Sequence, residues 1–513
     1  MLAKINSSAL TGINAYIIEV EVDISFGLPL FNIVGLAETS VKESKERVKT
    51  AIKNSGYSFP NDRVIVNLAP ADIKKESTGL DLPVAMGILA ASKVVSNKVL
   101  KNYIVTGELS LDGRVKPVKG ILPLAIAAKE NKFKGVIVPF NNRHEGSMVE
   151  GIDIIGVNHL SEVVEFFSGF KNIKPSKNSY LSQFNHTENQ NTMDYSDVHG
   201  QQHAKRALEI AAAGSHNILM TGPPGSGKSM LANRLITILP SLTFDEALET
   251  TQVYSISSMI DDNNPIITQK PFRSPHHTIS DAGLVGGGSK PEPGEASLAH
   301  NGVLFLDELP EFKKNVLNVL RQPLENGFVT ISRAGRRTTF PSNFMLVAAM
   351  NPCPCGYSAD PNGKCICSPV QIQRYQSKIS GPLLDRIDIQ IEVPQVPYKD
   401  LAGKSKPSES SVHIKKRVEA ARKIQEKRLK KEKLACNAAM DVKQIKKYCV
   451  LNSDSEALLE KAVESFGLSA RAYSRIKKLA RTIADLDHQT NIQQLHIAEA
   501  IQYRSFDRQC VPK

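Results

Sequence analysis

The chain has 513 residues and a formal net charge of +12, with 41% hydrophobic and 23% charged residues. This length is too great for one hydrophobic core, so we expect two to four domains of ordinary globular composition. No apolar run reaches the ~20 residues of a membrane-spanning helix, and the N-terminus lacks the pattern of a secretory leader. We therefore expect a cytoplasmic protein without a membrane partner. Its positive charge permits nucleic-acid binding but does not prove it.

Residues 1–170 alternate strand-like and helix-like segments. Residues 15–24 and 63–68 have the alternation of strands, and residues 40–55 have helical spacing. The apolar run at residues 82–91 is about half the length of a membrane span, so it predicts a buried helix.

Three further regions follow. Residues 171–195 are polar and predict a linker. Residues 196–395 alternate helices with apolar strands, which predicts a parallel sheet with helices on both faces. Residues 411–513 are predicted to be helical. Within them, the spacing of Ser453 and Glu456 predicts a capping box, and Ser469 is expected to cap the next helix.

A phosphate-binding loop is the most specific motif of the chain. It reads Gly222-Pro223-Pro224-Gly225-Ser226-Gly227-Lys228-Ser229, with an apolar strand before it and a helix after it. Glycines let backbone N–H groups converge on phosphates. Lys228 is expected to reach the β- and γ-phosphates of ATP, and the Ser229 hydroxyl to hold Mg²⁺. The alternative, a flexible glycine turn, does not account for the full pattern.

Two later strands end in polar side chains. Residues 303–306 are apolar and lead into Asp307 and Glu308. Ligand-binding groups gather at the carboxyl ends of parallel strands, so Asp307 is expected to bind Mg²⁺ and Glu308 to act as the general base. Asn351 ends the strand at 344–350 and is placed to orient the attacking water. The alternatives are an exposed acidic turn and an ordinary turn residue before Pro352.

Residues 328–340 predict a β-hairpin around Ala334-Gly335, with Arg333, Arg336 and Arg337 near its tip. Three arginines there are expected to contact DNA phosphates. The alternative is a solvated surface hairpin.

Four of the seven cysteines form two close pairs, Cys353 with Cys355 and Cys365 with Cys367. Four soft ligands suit tetrahedral Zn²⁺ in a structural role. The one-residue spacing within each pair is tighter than usual, so free or redox-active thiols stay open as the alternative.

The order of these motifs, with Leu383-Leu384-Asp385-Arg386-Ile387-Asp388 and Ser469-Ala470-Arg471 after them, resembles the magnesium-chelatase-like branch of AAA+ ATPases. Within that branch it resembles the ComM/YifB family over nearly the whole chain. The resemblance implies an AAA+ α/β P-loop domain at 196–395 and a helical lid at 411–513. It also implies a homo-hexamer that acts on single-stranded or branched DNA, as a branch-migration helicase of natural transformation.

The resemblance also assigns roles to three residues. Asn351 is similar to the sensor-1 residue, Arg386 to the arginine finger that reaches a neighbouring subunit's ATP, and Arg471 to sensor 2 of the lid. A guanidinium stabilises the charge that develops on a transferred phosphoryl group. The alternatives are an intrachain pair of Arg386 with Asp385 or Asp388, and a solvent-exposed Arg471.

Residues 1–170 resemble the α+β Lon-protease domain, which has the ribosomal S5 domain 2-like fold, through the segment from Thr106 to Val118. The Lon nucleophile position then falls at Asp81 and the Lon lysine near Leu122. Neither side chain supports an acyl-enzyme pathway, so we expect no peptidase activity. The domain is expected to serve as an assembly or DNA-holding platform.

Together these features predict an ATP-dependent hexameric DNA motor that uses ATP and Mg²⁺. The alternatives are a magnesium-chelatase-type motor, a protein-remodelling AAA+ ATPase without a DNA track, and an inert nucleotide switch. The arginine hairpin and the intact Glu308 favour the DNA motor.

Overall fold

The computed structural model describes residues 1–35, 39–71, 75, 78–176, 193–260, 265–288, 291–333, 336–358, 365–396 and 409–504. These residues form two compact units. The first takes its described residues from Met1–Thr187, Phe244–Thr268 and Ala334–Phe340, and the second from Glu188–Thr243, Gln269–Arg333 and Pro341–Lys513. Within the described ranges, none of the helices has the length and apolar character that crossing a membrane requires.

The first unit is built on a seven-stranded mixed sheet with the order β3-β4-β2-β1-β5-β8-β9. Its strands are β1 (Leu2–Thr11), β2 (Asn14–Ser25), β3 (Leu30–Val34), β4 (Arg63–Ala69), β5 (Tyr103–Val105), β8 (Gly135–Pro139) and β9 (Asp153–Val157), while β6 (Glu108–Leu109) and β7 (Val115–Lys116) form a separate ribbon. β1 and β2 pair antiparallel, and β5, β8 and β9 pair in parallel. The strands expected at 15–24 and 63–68 are confirmed as β2 and β4.

Helices cover this sheet and supply much of the core of the first unit. They are Thr39–Asn54, Asp81–Ala91, Asn97–Leu100, Ile121–Glu130, Arg143–Gly146, Leu160–Phe167 and Phe244–Ile256. Every residue of helix Asp81–Ala91 is buried, which confirms the prediction of a buried helix there. Val48 and Ile52 of the first helix lie in the same core cluster.

The second unit contains a five-stranded parallel sheet with the order β11-β14-β17-β10-β18. Its strands are β10 (Ile218–Thr221), β11 (Phe272–Arg273), β14 (Val303–Leu306), β17 (Met345–Met350) and β18 (Ile389–Glu392), and it also contains a ribbon of β12 (Gly286–Gly287) with β13 (Glu292–Pro293). A further two-stranded ribbon of the chain consists of β15 (Phe328–Arg333) and β16 (Arg336–Pro341). The predicted parallel sheet and the predicted hairpin strands are therefore confirmed.

Alternate residues of the central strands enter two different core clusters. Leu219, Leu304 and Leu346 pack in one cluster with helical residues such as Leu317. The residues next to them in sequence pack in the other cluster, and these are Ile218, Val303 and Val347. Successive side chains of a strand point to opposite faces, so both faces of the sheet are covered, as the continuous apolar strands predicted.

Helices of the second unit fall before, between and after the strands. They are Gln202–Gly214, Lys228–Arg234, Asp281–Val285, Glu295–Leu298, Lys314–Val319, Arg321–Asn326, Pro369–Gln376 and Gly381–Leu384, followed by the C-terminal group Ser411–Leu429, Val442–Tyr448, Ser453–Phe466, Ala470–Leu486 and Gln494–Gln502. Ser469 caps helix Ala470–Leu486 through the N–H of Ala472, as expected. The expected cap at Ser453 is wrong by one residue, because Asn452 accepts the N–H of Ser455.

Asp388 joins the sheet to helix Ala470–Leu486. Its Oδ2 accepts the N–H of Asn217 at 3.2 Å and lies 3.4 Å from Nδ1 of His216, and its Oδ1 lies 3.3 Å from the Arg475 guanidinium. Burial alone would raise the pKa of this carboxyl, but Arg475 and His216 hold the pKa below its ordinary value. Helix Ala470–Leu486 is thus fixed to the sheet by a buried charge pair.

We predict that Asp388→Asn loosens helix Ala470–Leu486, because it leaves the Arg475 charge buried without a partner at a cost of about 3–5 kcal/mol. A carboxyl whose pKa is lowered by folding stabilises the fold above its unfolded pKa of about 4, and this stabilisation is lost as pH falls. The difference in helix stability between wild type and variant should therefore be large at pH 7 and become smaller at acid pH. Amide hydrogen exchange of the helix measures it.

The matched control is Asp454→Asn, which changes an exposed carboxylate of the neighbouring helix Ser453–Phe466. It should leave exchange in helix Ala470–Leu486 unchanged. Equal protection of that helix in wild type and Asp388→Asn at pH 7 would show that the pair does not anchor it.

Candidate functional site

The phosphate-binding loop leaves the carboxyl end of β10 and runs into helix Lys228–Arg234. A Cβ on Gly222 would lie 2.1 Å from the carbonyl oxygen of Val393, so only glycine fits at the start of the loop. This close approach ties the loop to the chain just after β18. The motif therefore has the strand–loop–helix setting that phosphate binding requires.

Lys228 and Asn351 meet at this loop. The Lys228 ammonium donates to the carbonyl oxygens of Gly222 at 2.7 Å and Pro223 at 2.9 Å, and lies 3.4 Å from Oδ1 of Asn351. Burial lowers the pKa of Lys228 from its ordinary value. The structure thus brings together two side chains that are 123 positions apart in sequence.

Ser229 and Asp307 also lie together, although they come from a helix and from the end of β14. The Ser229 hydroxyl donates to Oδ2 of Asp307 at 2.6 Å. Two oxygens on adjacent corners of a Mg²⁺ octahedron lie about 3.0 Å apart, given Mg–O distances of about 2.1 Å. A small outward shift would let both oxygens bind one Mg²⁺, so these residues fit the ion expected from the sequence.

Glu308 follows Asp307 and adopts a left-handed backbone with φ of 52°. Such a conformation is strained for a residue with a side chain and is often found at functional sites. Its side chain is 58% exposed, and Oε2 lies 3.5 Å from Nδ1 of His277. The carboxylate is therefore accessible to water and has a histidine beside it.

Sequence reasoning missed His277 as a neighbour of the proposed base. No local signal could have found the contact, because His277 lies in the loop after β11 and meets Glu308 only through the pairing of β11 with β14. The ring of His277 also packs edge-on against Phe312, with centroids 6.4 Å apart.

The two arginines assigned by resemblance have partners within the second unit. Arg386 is buried and donates to Oε2 of Glu325 at 2.6 Å, rather than pairing with Asp385 or Asp388. The Arg471 side chain is 61% exposed and lies 3.6 Å from Asp385. Neither contact tests a role in catalysis, so the arginine-finger and sensor-2 assignments stay predictions.

The four clustered cysteines come together in space. Their sulfur atoms all lie within 4.8 Å of one another, and the Sγ of Cys353 is 3.3 Å from that of Cys355 and 3.8 Å from that of Cys365. Thiolates around tetrahedral Zn²⁺ at about 2.3 Å lie about 3.8 Å from each other. The cluster that also includes Cys367 therefore fits a four-thiolate metal site.

The arginine hairpin is described only in part. β15 and β16 form its two strands, and Arg337 is exposed. Residues 334–335 and the side chains of Arg333 and Arg336 lie outside the described residues. The proposed DNA contacts of this hairpin stay a prediction.

The positions that match the Lon dyad are both buried in the first unit. The Asp81 carboxylate accepts hydrogen bonds from the Arg47 guanidinium at 3.0 and 3.3 Å and from the N–H of Leu109 at 3.3 Å. Burial raises the pKa of Asp81 to about 6, although Arg47 acts in the opposite direction. Leu122 is fully buried. The absence of peptidase activity stays a prediction.

Comparison with protein-family models places three matches along the chain. The model of magnesium chelatase subunit ChlI matches residues 194–401, a second model of ChlI matches residues 20–142, and the ChlI C-terminal model matches residues 408–504. Residues 194–401 thus carry the AAA+ domain, and the C-terminal helical region follows it in the sequence.

Individual relatives were also found, some matched over nearly the full length and others over the N-terminal part. Competence protein ComM of Haemophilus influenzae is 45% identical over 99% of this chain and 98% of its own length. Uncharacterized protein YifB of Escherichia coli is 43% identical over the same shares of the two chains. Lon protease 2 of Bacillus subtilis is 30% identical over 31% of this chain and 32% of its own.

These matches confirm the Lon-like region that the sequence suggested and extend the family likeness to almost every residue. Because relatives that are 45% and 43% identical match nearly the whole chain, and a magnesium-chelatase model covers the phosphate loop, the chain belongs to the ComM/YifB family of magnesium-chelatase-like AAA+ proteins.

Proposed function

We propose that this protein is an ATP-dependent hexameric motor that moves on single-stranded or branched DNA, as a branch-migration helicase. The observation that carries the proposal is the convergence of Lys228, Ser229, Asp307, Glu308 and Asn351 at the carboxyl edge of one parallel sheet. The relative named a competence protein supports a role in natural transformation and recombination. The net charge of +12 is compatible with a polyanionic track.

Hydrolysis is assigned to these residues in named roles. The phosphate loop and Lys228 bind the β- and γ-phosphates, and Asn351 orients a water molecule in line with the bond to be broken. Glu308 accepts a proton from that water as the water oxygen attacks the γ-phosphorus. The bond between the γ-phosphorus and the oxygen that bridges it to the β-phosphate then breaks. When bound to Ser229 and Asp307, Mg²⁺ neutralises charge on the phosphate oxygens.

The arginine finger makes the proposed ATPase dependent on assembly. In the single chain the Arg386 guanidinium is held by Glu325, whose side chain is 57% exposed. Acting on a neighbouring subunit's γ-phosphate requires Arg386 to exchange this carboxylate for phosphate, and both are oxyanions that guanidinium binds well. Arg471 is proposed to reach the γ-phosphate from the C-terminal helices of its own chain.

The four cysteines are proposed to bind one structural Zn²⁺. A closed set of four thiolates leaves no coordination position for water, so the ion would fix the loop after Asn351 and take no part in hydrolysis. This assignment rests on the spacing of the sulfur atoms.

We predict that Glu308→Gln retains ATP binding and lowers turnover at least 100-fold, a typical minimum effect when a general base is lost. Phosphate release measures turnover, and a fluorescent ATP analogue measures binding. Glu311→Gln is the matched control, because it makes the same change three residues away at a carboxylate paired with Lys378. Wild-type turnover in Glu308→Gln would remove Glu308 from the role of base.

His277→Ala is expected to lower kcat about tenfold with little change in KM for ATP, because His277 touches the base but not the phosphate loop; a tenfold effect corresponds to about 1.4 kcal/mol. Steady-state kinetics separate the two parameters. The control is His413→Ala, which removes an exposed histidine that pairs with Ser410. A rise in KM with an unchanged kcat would contradict a role in positioning Glu308.

The experiment that tests the DNA track is the ATPase rate without DNA and with single-stranded, duplex and four-way-junction DNA. Polynucleotide that engages the motor is expected to stimulate turnover.

The three family models carry magnesium-chelatase names, so a chelatase-type motor or a protein-remodelling ATPase is the second candidate. ATP hydrolysis that no polynucleotide alters, together with no DNA binding, would favour that candidate and contradict the DNA motor.

Arg333→Ala combined with Arg337→Ala is expected to weaken duplex binding and to reduce the slope of log K against log salt by about 2, since each phosphate contact contributes about 0.9. Fluorescence anisotropy across a salt series gives the slope. Lys446→Ala with Lys447→Ala, which removes two exposed charges of the C-terminal helices, is the control. An unchanged slope in the arginine variant would exclude the hairpin from the interface.

A further inference from the structure

The turn that carries Cys353 and Cys355 touches the phosphate-binding loop directly. A Cβ on Gly356 would lie 2.4 Å from Cδ and 2.8 Å from Cγ of Pro224, so the backbone of Gly356 is packed against that ring. Gly356 also has φ of 87°, which disfavours any residue with a side chain. The position of Pro224 is therefore coupled to the position of the cysteine turn.

The cysteine turn has its own internal support. The N–H of Gly356 donates to the carbonyl oxygen of Cys353 at 2.9 Å, and Gln376 donates to the carbonyl oxygen of Pro352 at 3.3 Å. The sulfur of Cys365, from the other side of the loop, lies 3.6 Å from that of Cys355. A metal ion bound by all four sulfurs would cross-link the two ends of this loop and fix the turn.

A cleft of about 560 Å³ lies beside this contact. Gly222 and Pro223 of the phosphate loop line it together with Pro352, Gly356 and Tyr357 of the cysteine loop. Close packing normally holds a buried segment in place, and a cleft removes that restraint from one side. The contact between Gly356 and Pro224 can therefore restrain the conformation of the phosphate loop.

We propose that Zn²⁺ bound by Cys353, Cys355, Cys365 and Cys367 holds the phosphate loop in its ATP-binding shape through the packing of Gly356 on Pro224. Metal occupancy then sets nucleotide affinity, and the cysteines act as positioning residues that do not touch ATP. By thermodynamic linkage, bound nucleotide must raise the affinity for the metal by the same factor as the metal raises the affinity for nucleotide. The inference rests on the proposed ATP binding at this loop.

The first test separates the contact from the thiolates. Gly356→Ala keeps all four cysteines, so the variant is expected to bind one Zn²⁺ per chain and yet to bind a fluorescent ATP analogue at least about tenfold more weakly. Gly56→Ala is the matched control: Gly56 has φ of 85° and no atom within 4 Å of an added Cβ. It imposes the same backbone strain without the steric contact and should leave ATP affinity unchanged.

The second test removes the metal. Zinc content is measured on purified wild type and on Cys355→Ser with Cys367→Ser, and the Cys436→Ser variant serves as the control because its thiol lies outside the cluster. The double variant is expected to lose zinc and to lose ATP affinity by at least the factor seen for Gly356→Ala. Circular dichroism checks that the variants are folded. ATP analogue added to wild type should slow the removal of zinc by a chelator.

The outcomes distinguish this inference from the proposed function. Wild type that binds ATP but contains no zinc and takes up none overturns the metal site. A zinc-loaded wild type whose ATP affinity survives both metal removal and Gly356→Ala overturns the coupling, while the ATPase proposal stands. Wild type that holds zinc but binds no ATP refutes the proposed function itself, and the inference falls with it.

Discussion

Parallel pairing of β14, β17 and β10 is the constraint on which the candidate ATP site depends. The register sets Thr221 beside Met350 and Leu306 beside Ala348, so the three strands end within two residues of one another. The next residues of each strand, which include Gly222, Asp307 and Asn351, must then emerge along one edge. Backbone hydrogen bonding of apolar strands thus gathers the polar groups that no local interaction would hold together.

The charged residues between helix Gly381–Leu384 and β18 form ion pairs with residues that are distant in sequence. Asp385 meets Arg471, Arg386 meets Glu325, and Asp388 meets Arg475. Arg471 and Arg475 are one helical turn apart, so both bind this segment from a single helix. The buried pair at Asp388 anchors the helix, and the more exposed pair at Asp385 leaves the Arg471 guanidinium able to change partner.

The first unit contains the Lon-like region, and the two positions that match the Lon dyad are buried within it. Asp81 is held by Arg47 in a buried pair, and Leu122 is packed in apolar surroundings while its backbone N–H donates to Glu145. Glu145 also accepts the hydroxyl of Ser255, which belongs to helix Phe244–Ile256. That helix lies within the ATPase part of the sequence but forms part of the first unit, so the order of the chain alone does not separate the two units.

The sequence by itself determined the features whose signal is local. The phosphate loop was recognised from the spacing of its glycines and lysine next to a strand, and the acidic pair from its place at a strand end. The cysteine cluster was recognised from two close pairs of cysteines. The helix cap at Ser469 is a local signal as well. Only the tertiary structure decided which distant groups meet. Glu308 lies beside His277, Arg386 pairs with Glu325 and with neither aspartate of the alternative pairing, and Gly356 packs on Pro224. These contacts follow from strand order and loop path, because residues far apart in sequence become neighbours only when the sheet has brought their segments together.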